Sequence, residues 1–258
     1  MNVGIVTLLV LFAVIASLLW SDRRQDPNIA VLQGRIESIK IERAGFDTIS
    51  LQKSGIHWTI NEPCPLPVNE KRLQPLLDAL APGTHSYTAA EVDLQAAGLS
   101  TPAAVVTMNG TPILLGGTDL SGERRYIQRD NRVEFAPEWV LSLVNGGLSA
   151  LAALEVFIEP LDKLMVADNS SPNNDGSGRS VAELDQWQSL SAQQIVSWPL
   201  AAQGQEQYIA TDSITLVAMS GEQTRNMTLH NYPEFSALRD ENSRCAYIIT
   251  QASVPALR

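Results

Sequence analysis

From Ser38 to Ile60 the chain reads SIKIERAGFDTISLQKSGIHWTI, an alternation of apolar and polar residues that breaks only at short turns. Strand side chains point to opposite faces with a period of two. Ile39 and Ile41, then Ile49 and Leu51, then Ile56, Trp58 and Ile60 therefore mark one face each of three short strands. Ala44-Gly45 and Ser54-Gly55 supply the turns between them, and the stretch is restricted to an antiparallel meander. EPCPLP ends the pattern, because prolines cannot join a central strand. The next segment, VNEKRLQPLLDAL, spaces Leu73, Leu76, Leu77 and Leu80 for a helix, with Asn69 as N-cap and Pro75 as a kink or early stop. AEVDLQAAGL predicts a short helix stopped by Gly98. Asn109-Gly110 lies between two apolar runs, which is the signature of a tight hairpin. A second hairpin is expected around Asp130-Asn131, and a helix over APEWVLSLV with Pro137 in its first turn.

The same order of elements returns in the second half. Leu161, Leu164 and Val166 stand where Ile36, Ile39 and Ile41 stood, and Trp187 stands for Trp58. LSAQQIVSW begins with a serine cap, as the earlier helix begins with asparagine. Ser220-Gly221 replaces Asn109-Gly110, and Arg239-Asp240 matches Arg129-Asp130. Such order predicts one unit used twice, with the second copy shorter and degenerate. SSPNNDGSG reads as an exposed loop.

Ahead of the first unit, Asn2 to Trp20 carries no charge. About 19 helical residues span about 28 Å, close to the thickness of a bilayer core. The run reads as a transmembrane anchor with Trp20 at the interface. A cleaved signal peptide is the competing reading, but that class has a shorter apolar region preceded by basic residues. Arg23 and Arg24 pull the following chain toward the cytoplasm. The expected fold is therefore α+β: an N-terminal transmembrane helix over residues 1–21, a linker over 22–33, a first unit over 34–150 and a second over 151–258. Each unit would hold a small antiparallel sheet and one or two helices.

Chemistry is harder to find. Among the 258 residues the net charge is −10, which repels phosphate backbones and argues against nucleic acid as a partner. There is no G-x-S-x-G, no P-loop and no G-x-G-x-x-G. His57, His85 and His230 are far apart in sequence, and no metal-ligand spacing occurs. Neither cofactor nor metal is expected. Glu234 with Asp240, and Asp119 with Glu123, read as turn partners rather than acid–base pairs. Trp58, Trp139, Trp187 and Trp198 could line a groove, yet Trp58 and Trp187 fit core positions better. Cys64 and Cys245 could pair in an oxidising compartment and would stay reduced in the cytosol, and two unlinked, partly buried thiols are the alternative.

SIKIERAGFDTISLQKSGIHWTINEP, AGLSTPAAVVTMNGTPILLGG and RRYIQRDNRVEFAP together resemble the bacterial family known as domain of unknown function 4340 (DUF4340). Gly98, Leu99 and Pro102 stand at its "GL…P" positions. The resemblance runs from Ile36 to Leu143 and is weak beyond. Pro75, the CPLP insert and the missing "GL…P" in the second half depart from it. It implies a membrane-anchored protein whose soluble part lies outside the cytoplasmic membrane, which outweighs the two arginines. It also implies similarity to auxiliary proteins of ABC-type transport and gliding-motility systems, and it assigns no catalytic residue. The expectation is a non-enzymatic accessory or scaffold protein, held in the bacterial inner membrane by residues 2–20, periplasmic, and touching a membrane complex such as an ABC-type permease. The alternative is a periplasmic module binding a peptide, glycan or lipid between the units. A hydrolase with an unrecognised site is the weakest reading.

Overall fold

The computed structural model describes residues 36–83, 85–167, 178–180, 183–200 and 208–255. The apolar stretch 2–20, the linker 22–33 and residues 170–177 of the expected loop lie outside them.

The first meander forms as β1 (Ser38–Arg43), β2 (Ile49–Ser54) and β3 (His57–Glu62), followed by the two-residue β4 (Leu66–Pro67). Helix α1 (Glu70–Ala79) runs through Pro75 and turns Leu73, Leu76 and Leu77 inward. After β5 (Tyr87–Thr88) come the two hairpins, β6 (Ala104–Met108) with β7 (Thr111–Thr118), and β8 (Arg124–Arg129) with β9 (Arg132–Pro137). Asn109 and Asp130 take positive φ, as those tight turns require. Two short helices follow, α2 (Trp139–Asn145) and α3 (Gly147–Leu151). The second half holds β10 (Lys163–Ala167), β11 (Gly178–Ser180), α4 (Leu184–Gln188), β12 (Gln194–Ser197), β13 (Asp212–Ser220), β14 (Gln223–Asn231), β15 (Phe235–Asp240) and β16 (Cys245–Thr250).

These strands make two sheets, ordered β4-β3-β2-β1-β6-β7-β8-β9-β5 and β11-β10-β13-β14-β15-β16-β12. Without β3 and β4 the first order matches the second strand for strand: β5 and β12 close the same edge beside β9 and β16, and β1 and β10 sit between a partner hairpin strand and the four-strand meander. Each central hairpin tip is fastened to the strand that opens its unit. The Asn109 side chain accepts the N–H groups of Glu37 and Ser38, and the Asp162 carboxylate accepts the N–H of Gly221.

The architecture corrects the expected fold class. Strand takes 46% of the described residues and helix 17%, so the molecule is mainly antiparallel β rather than α+β. Among the described residues no helix is long and apolar enough to cross a membrane. Two expected helices are absent for physical reasons. LSAQQIVSW forms the edge strand β12, because Ile195 buries while Gln194 is exposed and the backbone pairs with β16. AEVDLQAAGL keeps one 3₁₀ turn, Ala89–Glu91; beyond it the Asp93 carboxylate captures the N–H groups of Gln95 and Ala96 and bends the chain. Trp187 is not the counterpart of Trp58: it is wholly buried on α4, whereas Trp58 lies on β3, a strand without an equivalent among the described strands of the second sheet.

One apolar core spans both units, joining Ile41, Ile49 and Leu115 of the first sheet to Leu216, Met227 and Leu238 of the second, with α1 in the same cluster. A satellite core on the other face of each sheet gathers Ala97, Leu99 and Val133 in the first unit and Tyr232, Ala237 and Ile248 in the second.

Candidate functional site: the junction groove

The chain between the units is an extended connector that pairs on both sides. The N–H of Asn69 donates to Leu151 O at 2.7 Å, and that of Ala153 to Pro67 O at 2.9 Å. Three residues on, Val156 N–H donates to Leu190 O at 3.1 Å, and Ala192 N–H to Leu154 O at 2.8 Å. The connector thus prolongs β4 on one flank and holds the approach to β12 on the other. Strand β12 is an edge, and exposed edges accept foreign strands. Here the first unit blocks it: Ser149 Oγ accepts the Ile195 N–H at 2.9 Å and donates to the Ile195 carbonyl at 3.2 Å. Ser197 adds a hydrogen bond to the Asp47 carboxylate.

Cys64 and Cys245 complete the seam as a buried disulfide, 181 residues apart in sequence and 6.1 Å between Cα atoms. Beside it opens a groove of about 490 Å³, with the Cys64 neighbours Pro65–Pro67 on one wall and the start of β16 on another. Val156, Phe157 and Leu161 form its apolar floor, and Ile158 stands at the rim, 55% exposed. The turn that carries them is pinned by one side chain: Gln188 on α4 donates to Phe157 O at 2.9 Å and accepts the Leu161 N–H at 2.6 Å. Ser220 Oγ, donating to Pro160 O at 2.6 Å, holds it from the opposite side. The polar wall carries Gln223, Asn242 and the Arg225–Asp240 ion pair at 3.3 Å. Tyr247 closes the back. Burial raises its hydroxyl above the usual phenol range, a shift that nearby Arg225 opposes and Asp240 reinforces.

Of the residues singled out by sequence, Ser220 and Asp240 line the groove, and Cys64 and Cys245 adjoin it. The two Arg-Asp pairs do different work. Asp130 makes a turn, and Arg129 ties the hairpin to the Leu80 carbonyl. Asp240 holds Arg225, and Arg239 donates to the carbonyls of Glu241 and Ser243 and lies over Trp198. Gly98 and Leu99 act elsewhere. Gly98 has φ +67, and a Cβ there would lie 2.8 Å from Gly117 N, so the segment presses directly on β7. The strand bulges at that contact, between Leu115 and Thr118, and buried Arg125 satisfies the Gly116 carbonyl. Pro102 follows this segment, and Gly110 and Gly221 serve hairpin turns. Trp139 is 43% exposed on α2, away from the groove lining. Gln188, Gln223 and Arg225 carried no sequence signal, since isolated polar residues look alike until the fold aims them.

One serine–histidine contact exists on the far face of the second sheet, where Ser213 Oγ lies 2.8 Å from His230 Nδ1. His230 stacks on Trp198 with ring centres 4.9 Å apart, and its Nε2 is buried without a partner. Burial first, and Arg239 second, lower the His230 pKa. An enclosed Nε2 cannot relay a proton to a substrate, so this is a packing arrangement. Asp119 pairs with Arg124 at 2.9 Å and accepts from Ser121, in the manner of a turn partner. Among the described residues no three His, Cys, Asp or Glu side chains converge as a metal site.

Comparison with family models, curated proteins and solved structures finds no match for this chain.

Proposed function

We propose that this is an exported accessory protein of the bacterial cell envelope that works by holding a partner at the groove between its units rather than by catalysis. The observation that carries the reading is the buried Cys64–Cys245 disulfide beside that groove. Disulfides persist outside the reducing cytosol. The uncharged stretch Asn2–Trp20 supports retention at the inner membrane, and the resemblance to the DUF4340 family supports a membrane complex, such as an ABC-type permease, as the partner. The covered edges of β4 and β12, which flank the junction, favour the groove over strand addition there as the contact surface.

Two experiments test this. Acid-quenched cells treated with a maleimide–polyethylene glycol reagent should show a mobility shift only after reduction; a shift without reduction would place the protein in the cytosol. Crosslinking of intact cells, followed by tagged purification in mild detergent and mass spectrometry, should enrich one envelope complex. Recovery of the protein alone would end the accessory reading.

A further inference from the structure

We infer that the junction groove is a peptide site, taking an extended segment with an aliphatic side chain next to a basic one. This rests on the accessory reading and names the chemistry of its partner.

A ligand pocket of this kind is a concave apolar surface with a few convergent polar groups, typically a few hundred Å³. The groove, at about 490 Å³, is of that size. Its floor at Val156, Phe157 and Leu161 accepts one aliphatic side chain, and exposed Ile158 extends that surface to the rim. Across from it, the side-chain amides of Gln223 and Asn242 make no hydrogen bond to a described residue. An amide offers donors and an acceptor together, which complements the N–H and C=O of an extended backbone.

The charges select further. Arg225 is engaged by Asp240 at 3.3 Å, so it is not a free cation for a phosphate or carboxylate. Glu159 is exposed on the lining and has no ion-pair partner among the described residues. The groove therefore bears an excess of negative charge, which repels anionic headgroups and attracts lysine or arginine. Its aromatic residues, Phe157 and Tyr247, are buried at 4% and 7% exposure, so no open ring is presented for stacking on a sugar. Amide pairing, an aliphatic seat and a free carboxylate together describe a peptide.

The test uses the full chain in detergent and a bead-displayed positional library of acetylated, amidated hexapeptides. The expected selection is Leu, Ile or Val at one position with Lys or Arg adjacent. Glu159→Lys should shift the adjacent preference from basic to acidic while the aliphatic preference stays. Gln223→Ala combined with Asn242→Ala should weaken the best hexapeptide about tenfold through two lost hydrogen bonds. These side chains are exposed, and circular dichroism should show unchanged melting for both variants. A library without enrichment, or binding that both variants leave unaltered, overturns the site. If the crosslinked envelope complex is still recovered with both variants, the accessory reading stands and the groove assignment falls.

Discussion

The two sheets share one strand order yet differ in how they are completed. The first adds β3 and β4 and covers its inner face with the ten-residue α1. The second has no such strands among its described residues, and its α4 is five residues long. What it lacks, the first unit provides: Ser149 and Asp47 close β12, the connector holds the approach to that strand, and Cys64 grips β16. A repeated topology is therefore not two equal domains. The shorter copy depends on the fuller one, and the groove exists because the two are fused.

The largest test of that asymmetry is to separate the units. Residues 36–157 expressed alone should give dispersed amide spectra, whereas 158–255 alone should stay unfolded. A folded second fragment would break the comparison. Replacing both cysteines, Cys64→Ala with Cys245→Ala, comes next. For a sequence separation of 181, the chain-entropy model gives a loss of about 5 kcal/mol. Guanidinium unfolding should show the second unit melting first, and a loss under about 1 kcal/mol would mean that packing alone joins the units. Ser149→Ala strands one donor and one acceptor on β12 and should cost about 1–2 kcal/mol. Faster hydrogen exchange at Ile195, with β1–β3 unaffected, would sharpen the picture.

The smallest effect belongs to His230. Its pKa in the folded protein lies below the ordinary 6.5, so its contribution to stability is present above that value and lost as pH falls through the folded pKa. Melting temperature should decline on acidification below about pH 6.5, and His230→Gln should flatten that decline. Arg239, which also faces the ring system through Trp198, opposes the charged imidazolium of His230.

Much of the fold was legible where local pattern and tertiary demand agree. Alternation over Ser38–Ile60 marked β1, β2 and β3, and Asn109-Gly110 marked a hairpin whose first turn residue takes φ 46. The failures fall where tertiary contact overrode local signals. LSAQQIVSW carries a helix-cap serine, but an open edge beside β16 and the Ser149 hydroxyl made it a strand. Trp187 follows the second unit's first strand in the same order as Trp58 follows β1, yet order alone does not reveal that the strand bearing Trp58 has no second copy among the described residues. The site was least visible. Ser220 and Asp240 read in sequence as turn and repeat markers, and nothing in sequence ranks Gln223 or Asn242 above other polar amides.

By itself the sequence determined period-two strands, tight turns and two matching orders of elements, because these depend on neighbours a few residues apart. Only the tertiary structure decided that two units share one core, that Cys64 meets Cys245, and that the connector, β4 and β16 leave a groove between them. Those outcomes depend on pairs tens to hundreds of residues apart, where the burial of one face selects its partner and no local pattern records the choice.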